Sequence, residues 1–206
     1  MNTRQTIARF CFLLAVVNAC QFAAAQEPVT PAKLSPFQSK EGGFAVSMPG
    51  KPAYSSRKMP GRLGKGTVTH HQFTSGEKTG VFMVTYESLA GTKLDTAKQQ
   101  EAAYLLARGG MEKILGGKVL EYKHSKLDKK RTGRYMRISI PARRGEYRAR
   151  MFIVGNTLYQ VFAMGSPDFV KAKRTDQVLA SFKLLKKTKT GSGSDSKKTP
   201  AKKSGN

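Results

Sequence analysis

The run from Leu158 to Met164 constrains this chain more than any other stretch. Read as a strand, it sets Tyr159, Val161 and Ala163 on one side and Leu158, Phe162 and Met164 on the other. Successive side chains of a strand point to opposite faces. A strand that is apolar on both faces belongs inside a sheet with a covering layer on each side. A sheet open to water on one side is excluded at this position.

Other segments supply the rest of such a fold. Phe44, Val46 and Met48 alternate, and Pro49-Gly50 ends that run. Thr67 to Thr74 and Val81 to Glu87 are rich in Thr, Val, Phe and Tyr, and the polar stretch Ser75 to Gly80 between them predicts a hairpin. Asp95 is the predicted cap of a helix through about Arg108, with Ala102, Leu105 and Leu106 on its apolar stripe. Gly109-Gly110 weakens or ends it, and Met111 to Leu115 adds a turn before Gly116-Gly117. Lys118 to Tyr122, Arg134 to Ile140 and Glu146 to Val154 read as strands. Ser166-Pro167-Asp168 opens a second helix, with Ser as cap, Pro at the first position and Asp near the positive end. That helix carries Phe169, Val170, Val178 and Leu179, and Ser181 to Leu184 closes the body as a short strand. The expectation is an α+β fold: an antiparallel sheet flanked by helices in an α/β/α sandwich.

The ends read differently. Arg4 and Arg9 precede an apolar stretch, Phe10 to Ala19, broken only by Asn18; Ala23-Ala24-Ala25 then offers a cleavage site. That order predicts a signal peptide over 1–25 and an exported protein, periplasmic or extracellular. Val17-Asn18-Ala19-Cys20 also resembles a bacterial lipoprotein box, so lipidation at Cys20 is the alternative. Cleavage after Ala25 removes both cysteines, Cys11 and Cys20, and with them every thiol-based site and disulfide. Residues 26–35, with Pro28 and Pro31, read as a linker, and 36–185 as the folded domain. Residues 186–206 hold seven Lys and one Asp among Gly, Ser, Thr and Pro, and read as a disordered Lys-rich tail.

Phe37, then Glu41-Gly42-Gly43-Phe44-Ala45-Val46-Ser47-Met48-Pro49-Gly50-Lys51-Pro52, is similar to the opening of exported bacterial domains of the PsbP-like superfamily. Asn156-Thr157-Leu158-Tyr159-Gln160-Val161 and Ser181-Phe182-Lys183-Leu184 resemble their ending. The resemblance covers about residues 36–185 and implies an α/β/α sandwich around an antiparallel sheet. It implies no single activity: members include the extrinsic photosystem II subunit, a nuclear transport factor and many exported proteins without an assigned role. No site residue is carried over from it.

Catalytic signals are sparse. His70 and His71 are adjacent, so on a strand they face opposite ways and are ill placed to share a metal. Gly61 to Thr67 (GRLGKGT) lacks the spacing, the Ser or Thr after the Lys, and the following helix of a phosphate loop. No G-x-S-x-G elbow and no carboxylate couple stands out. A hydrolase built on His71 or His124 is the enzymatic alternative; the main expectation is a chain that is not an enzyme and takes no cofactor or metal.

Charge remains. The chain carries 37 Lys and Arg against 13 Asp and Glu, a net +24, and the 26–185 body keeps 28 against 12. Residues 118–150 alone hold 12 basic and three acidic residues. The candidate anion-binding residues are Lys126, Lys129, Lys130, Arg131, Arg137, Arg143, Arg144, Arg148 and Arg150, interleaved with Tyr135, Tyr147 and Phe152. Pairing Met136, Ile138 and Ile140 with Met151, Ala149 and Tyr147 predicts Arg137 beside Arg150 and Ser139 beside Arg148. Like charges set opposite each other destabilise a sheet unless water, acids or a bound anion intervene. The expected function is a non-catalytic envelope binding or structural module with an unknown partner. The alternative is a polyanion binder, for an acidic polymer, an anionic membrane surface or nucleic acid without sequence specificity.

Overall fold

The computed structural model describes residues 32–60, 66–89 and 94–185. In chain order the first elements are β1 (Leu34–Ser39), β2 (Phe44–Pro49), β3 (Ala53–Pro60), β4 (Thr67–Glu77) and β5 (Gly80–Ser88). A long helix follows, α1 (Ala97–Leu115), then β6 (Lys118–Lys126), β7 (Thr132–Ile140), β8 (Gly145–Val154) and β9 (Thr157–Gly165). The chain ends with α2 (Pro167–Lys171), α3 (Lys173–Ser181) and β10 (Lys183–Leu184). Seven strands form one sheet in the order β3-β4-β5-β9-β8-β7-β6, and β1-β2-β10 form a second. All pairings are antiparallel, and the fold is α+β.

The two-faced run is β9, in the centre of the large sheet. Val161 and Ala163 belong to an apolar cluster with Phe82, Val84, Phe152, Phe169, Val170, Val178 and Leu179. Leu158 and Phe162 belong to a second, with Met136, Ile138, Tyr147, Ala149, Met151, Ala103, Tyr104 and Ala107. The first cluster therefore draws on α2 and α3 and the second on α1. No helix among the described residues is long and apolar enough to cross a membrane.

Several expectations are corrected. The helix cap is Thr96, not Asp95: its hydroxyl accepts from the Gln99 amide while the Gln99 side chain accepts from the Thr96 amide. Gly109-Gly110 does not end α1, which runs on through Met111–Leu115 to the expected stop at Gly116, in the left-handed region (φ 56°). The expected stripe is on the wrong side. Ala103, Tyr104 and Ala107 are buried, whereas Ala102, Leu105 and Leu106 are exposed. The two alanines let α1 sit close to the sheet, and the Ile153 amide donates to the Tyr104 hydroxyl at 2.8 Å. Tyr104 thus anchors a face that hydrophobicity alone would not choose.

The second helix is capped as expected, Ser166 accepting from the Phe169 amide with Pro167 at its start. It is split in two at Ala172, whose backbone is extended (ψ 145°). Two strands lack the alternation that would announce them: β1, which starts at Leu34 inside the expected linker, and β3, nearly all exposed. The predicted signal peptide, residues 26–31 of the linker, the Lys-rich tail and most of the glycine-rich loop (61–65) lie outside the described residues.

Tyr86 gives a pH-dependent prediction. It is 9% exposed, and its hydroxyl has no hydrogen-bond partner among the described residues. Burial first, then the Glu41 charge, pushes its phenol from 10.0 up to about 12. A raised folded value means the neutral form is favoured in the fold. Its contribution to stability is complete below pH 10 and is lost as pH rises to about 12. Tyr86→Phe should match or exceed the parent in urea midpoint at pH 9, and its advantage should widen at pH 10 and 11. A difference that stays constant with pH would refute this.

Candidate functional site

The nine candidate cations are divided by the sheet into three groups. The first pair of strands, β6 and β7, joins through Leu127–Arg131, and the second, β7 and β8, through Pro141–Arg144 at the other end of β7. Strand β7 has nine residues, so the two turns lie about 30 Å apart. Lys126, Lys129, Lys130 and Arg131 are at one end and Arg143 and Arg144 at the other. Arg137, Arg148 and Arg150 lie between.

The middle group is structural. Arg150 donates to Ser125 Oγ at 3.0 Å, to the Leu179 carbonyl at 2.8 Å and to the Lys126 carbonyl. It ties α3 to the end of β6, and burial lowers its pKa. Arg148 donates to the Val170 carbonyl at 3.2 Å, pairs with Asp176 and lies 5.4 Å from the Tyr135 ring centroid. Arg137 is 3.3 Å from Glu146, an ion pair by distance that lacks hydrogen-bond geometry. Lys171 approaches the same buried carboxylate at 3.2 Å.

The predicted register is corrected by two residues. Arg137 lies opposite Arg148, Tyr135 opposite Arg150 and Ser139 opposite Glu146. The cause is the turn: a 3₁₀ segment, Pro141–Arg143, and left-handed Arg144 (φ 48°) close the ladder at Ile140 and Gly145. A two-residue shift keeps every side chain on its expected face. Acids relieve the facing arginines: Glu146 serves Arg137 and Asp176 serves Arg148.

The turn groups are different. Asp128 accepts from the Lys130 and Arg131 amides at 2.8 and 2.9 Å and pairs with the Arg131 guanidinium at 3.3 Å. The Asp128 side chain thus shapes this turn and claims one cation. Lys126, Lys129, Lys130, Arg143 and Arg144 are exposed and form no ion pair with a described residue. Of the interleaved aromatics, Tyr147 and Phe152 are core. Tyr135 is half-buried between Lys123, at 5.0 Å, and Arg148.

The histidines occupy three unlike settings. His71 stacks on Tyr86 with ring centroids 4.3 Å apart, and its Nδ1 is 2.9 Å from the Tyr54 hydroxyl. His70 faces the other way and meets Glu87 at 3.0 Å, both buried. Glu87 lies 17 positions away and carries no local signal; only the β4–β5 register opposes it to His70. His124 accepts from Arg134 at 2.8 Å, which assigns its own proton to Nε2. Arg134 also pairs with Glu101, and Tyr122 donates to Glu101 at 3.4 Å. These groups line a cavity of about 380 Å³ beside the start of α1. Alternation would have put Tyr122 and His124 on one face, but nothing local announces Glu101. Among the described residues no group of three or more His, Cys, Asp or Glu side chains is placed to hold a metal ion.

The class defined by this architecture is an α+β domain built on an antiparallel sheet. Among solved structures the chain is similar to cyanobacterial PsbP (CyanoP) from Synechocystis sp. PCC 6803, determined in solution. The TM-score is 0.50 and the identity 11%, over 79% of this chain and 99% of that one. The likeness establishes a PsbP-like fold, as the resemblance implied. No family model matches the sequence, and no curated protein matches it.

Proposed function

We propose that this chain is an exported, non-catalytic binding module of the cell envelope, and that its ligand is a polyanion. Its frame is read as an α/β/α sandwich, with α1 over one face of the large sheet and α2–α3 over the other. The signal-like 1–25 segment supports export, and each histidine's engagement in packing or ion-pair contacts supports a non-catalytic role. Turnover by the purified protein, abolished by His124→Gln, would overturn that part.

One observation carries the ligand class. Five exposed cations, Lys126, Lys129, Lys130, Arg143 and Arg144, lack carboxylate partners among the described residues and sit in two groups about 30 Å apart. A small anion reaches one group, whereas a polymer of phosphates, sulfates or carboxylates spans both. The Lys-rich tail adds seven more cations. Arg137, Arg148 and Arg150 are withdrawn from the contact set because the fold uses them.

Labelled duplex DNA serves as a generic polyanion across a salt series. Affinity should fall steeply with salt, with a slope near −0.9 per phosphate neutralised. Changing the five exposed cations to Gln should weaken binding at least tenfold and flatten the slope, without lowering the melting temperature. Arg150→Gln should instead destabilise the fold by about 1 kcal/mol, since it removes the hydrogen bonds that tie the Leu179 carbonyl of α3 to the end of β6. Unchanged affinity in the five-site variant would reject the turns as the contact. Loss of binding only on removal of 186–206 would assign the contact to the tail.

A further inference from the structure

The face of α1 that sequence periodicity assigned to the core is instead turned to solvent. At 100° per residue, Lys98, Ala102, Leu105, Leu106, Gly109 and Lys113 fall within one arc of about 100°. Leu105 is 42% and Leu106 52% exposed. The arc is apolar at its centre over two turns and carries one lysine near each end. It contains no acid. The two carboxylates at its margin are already held: Glu101 by Arg134 and Tyr122, Glu112 by Arg108 and the Val119 amide.

Apolar side chains flanked by lysines, with the nearby acids neutralised, complement a surface that is anionic outside and greasy just beneath. We propose that α1 docks flat on an anionic phospholipid bilayer, with Leu105 and Leu106 entering the interface and Lys98 and Lys113 at the headgroups. Small residues at 102 and 109 let the helix axis approach the surface. This is the geometry of an interfacial amphipathic helix, here presented by a folded domain. The inference rests on the polyanion reading for the sign of the partner's charge, but on different residues.

A second copy of the chain fits less well. An antiparallel pairing of two α1 helices through Leu105 and Leu106 sets Lys98 against the partner's Lys113, and each chain brings a net +24. Bilayer charge has the opposite sign.

The chain contains no tryptophan, so Leu106→Trp supplies a single reporter. With vesicles of phosphatidylglycerol and phosphatidylcholine, its emission should shift to the blue and be quenched by brominated acyl chains. Pure phosphatidylcholine vesicles should give neither. Leu105→Gln/Leu106→Gln should lower co-sedimentation with the anionic vesicles about tenfold or more. Lys98→Gln and Lys113→Gln should each lower it about fivefold. All these positions are exposed, and unchanged melting temperatures check the fold. Anionic-vesicle binding that is indifferent to the Leu pair overturns the docking face while leaving the polyanion reading intact. So does retained DNA binding without vesicle binding. A concentration-dependent dimer abolished by the Leu pair would make the face a self-interface and overturn the inference equally.

Discussion

Glu87→Leu should cost about 1–3 kcal/mol of stability, since it takes the hydrogen-bond partner from the buried His70 Nδ1, and His70→Leu, which removes one contact from the buried Glu87 carboxylate, should also destabilise. Glu87 is 1% and His70 8% exposed, and they meet at 3.0 Å across the β4–β5 pairing. The double variant should cost less than the sum of the two, because the second change removes the other half of a contact that the first had already broken. Urea unfolding of the four proteins measures this coupling. Additive losses would show that the two side chains are stabilised independently. A loss below about 1 kcal/mol in Glu87→Leu would show that water reaches the pair.

Phe44→Ala should be more damaging, about 3–5 kcal/mol, the range for deleting a buried aromatic ring. Phe44 is fully buried, and its ring is 5.5 Å from Phe73, 5.6 Å from Phe182 and 6.2 Å from both Phe37 and Tyr86. Those partners come from β1, β4, β5 and the residue before β10. Phe44 is the most connected of the rings that fasten the small sheet to the large one, beside the Phe37–Phe73 and Phe182–Phe152 contacts. At this chain length the loss lowers the melting temperature by roughly 10 °C or more. Hydrogen exchange should show β1 and β10 opening before β5, β8 and β9. Uniform loss of protection across both sheets would contradict the hub role.

Much of the fold was legible because it rests on local signals. The alternation in β2, β7 and β8, the two apolar faces of β9, the Ser166-Pro167 cap and the Gly116 stop are each set by a few neighbouring residues. The two missed strands have no such signal: β3 exposes nearly every side chain, so hydrophobicity does not mark it. The wrong stripe on α1 has the same origin. Leucines outrank alanines on any hydrophobic scale, yet close approach to the sheet favours Ala103 and Ala107, and Tyr104 adds a hydrogen bond across 49 residues.

The candidate site divides along the same line. Charge sign and amount belong to composition, and the nine basic residues were named from it. Which of them face solvent was decided by partners distant in sequence: Asp176 for Arg148, Leu179 for Arg150 and Glu146 for Arg137. The length of the Pro141–Arg144 turn decided the register that opposes two arginines. The sequence by itself determined a two-sided sheet, its helix ends and a strongly basic body, because alternation, capping and charge are properties of neighbours. Tertiary structure alone decided the His70–Glu87 pair, the Arg134 cluster, the exposed leucines of α1 and the separation of free cations to two ends of the sheet. Each depends on strand register and helix rotation, which many residues fix together and no single segment encodes.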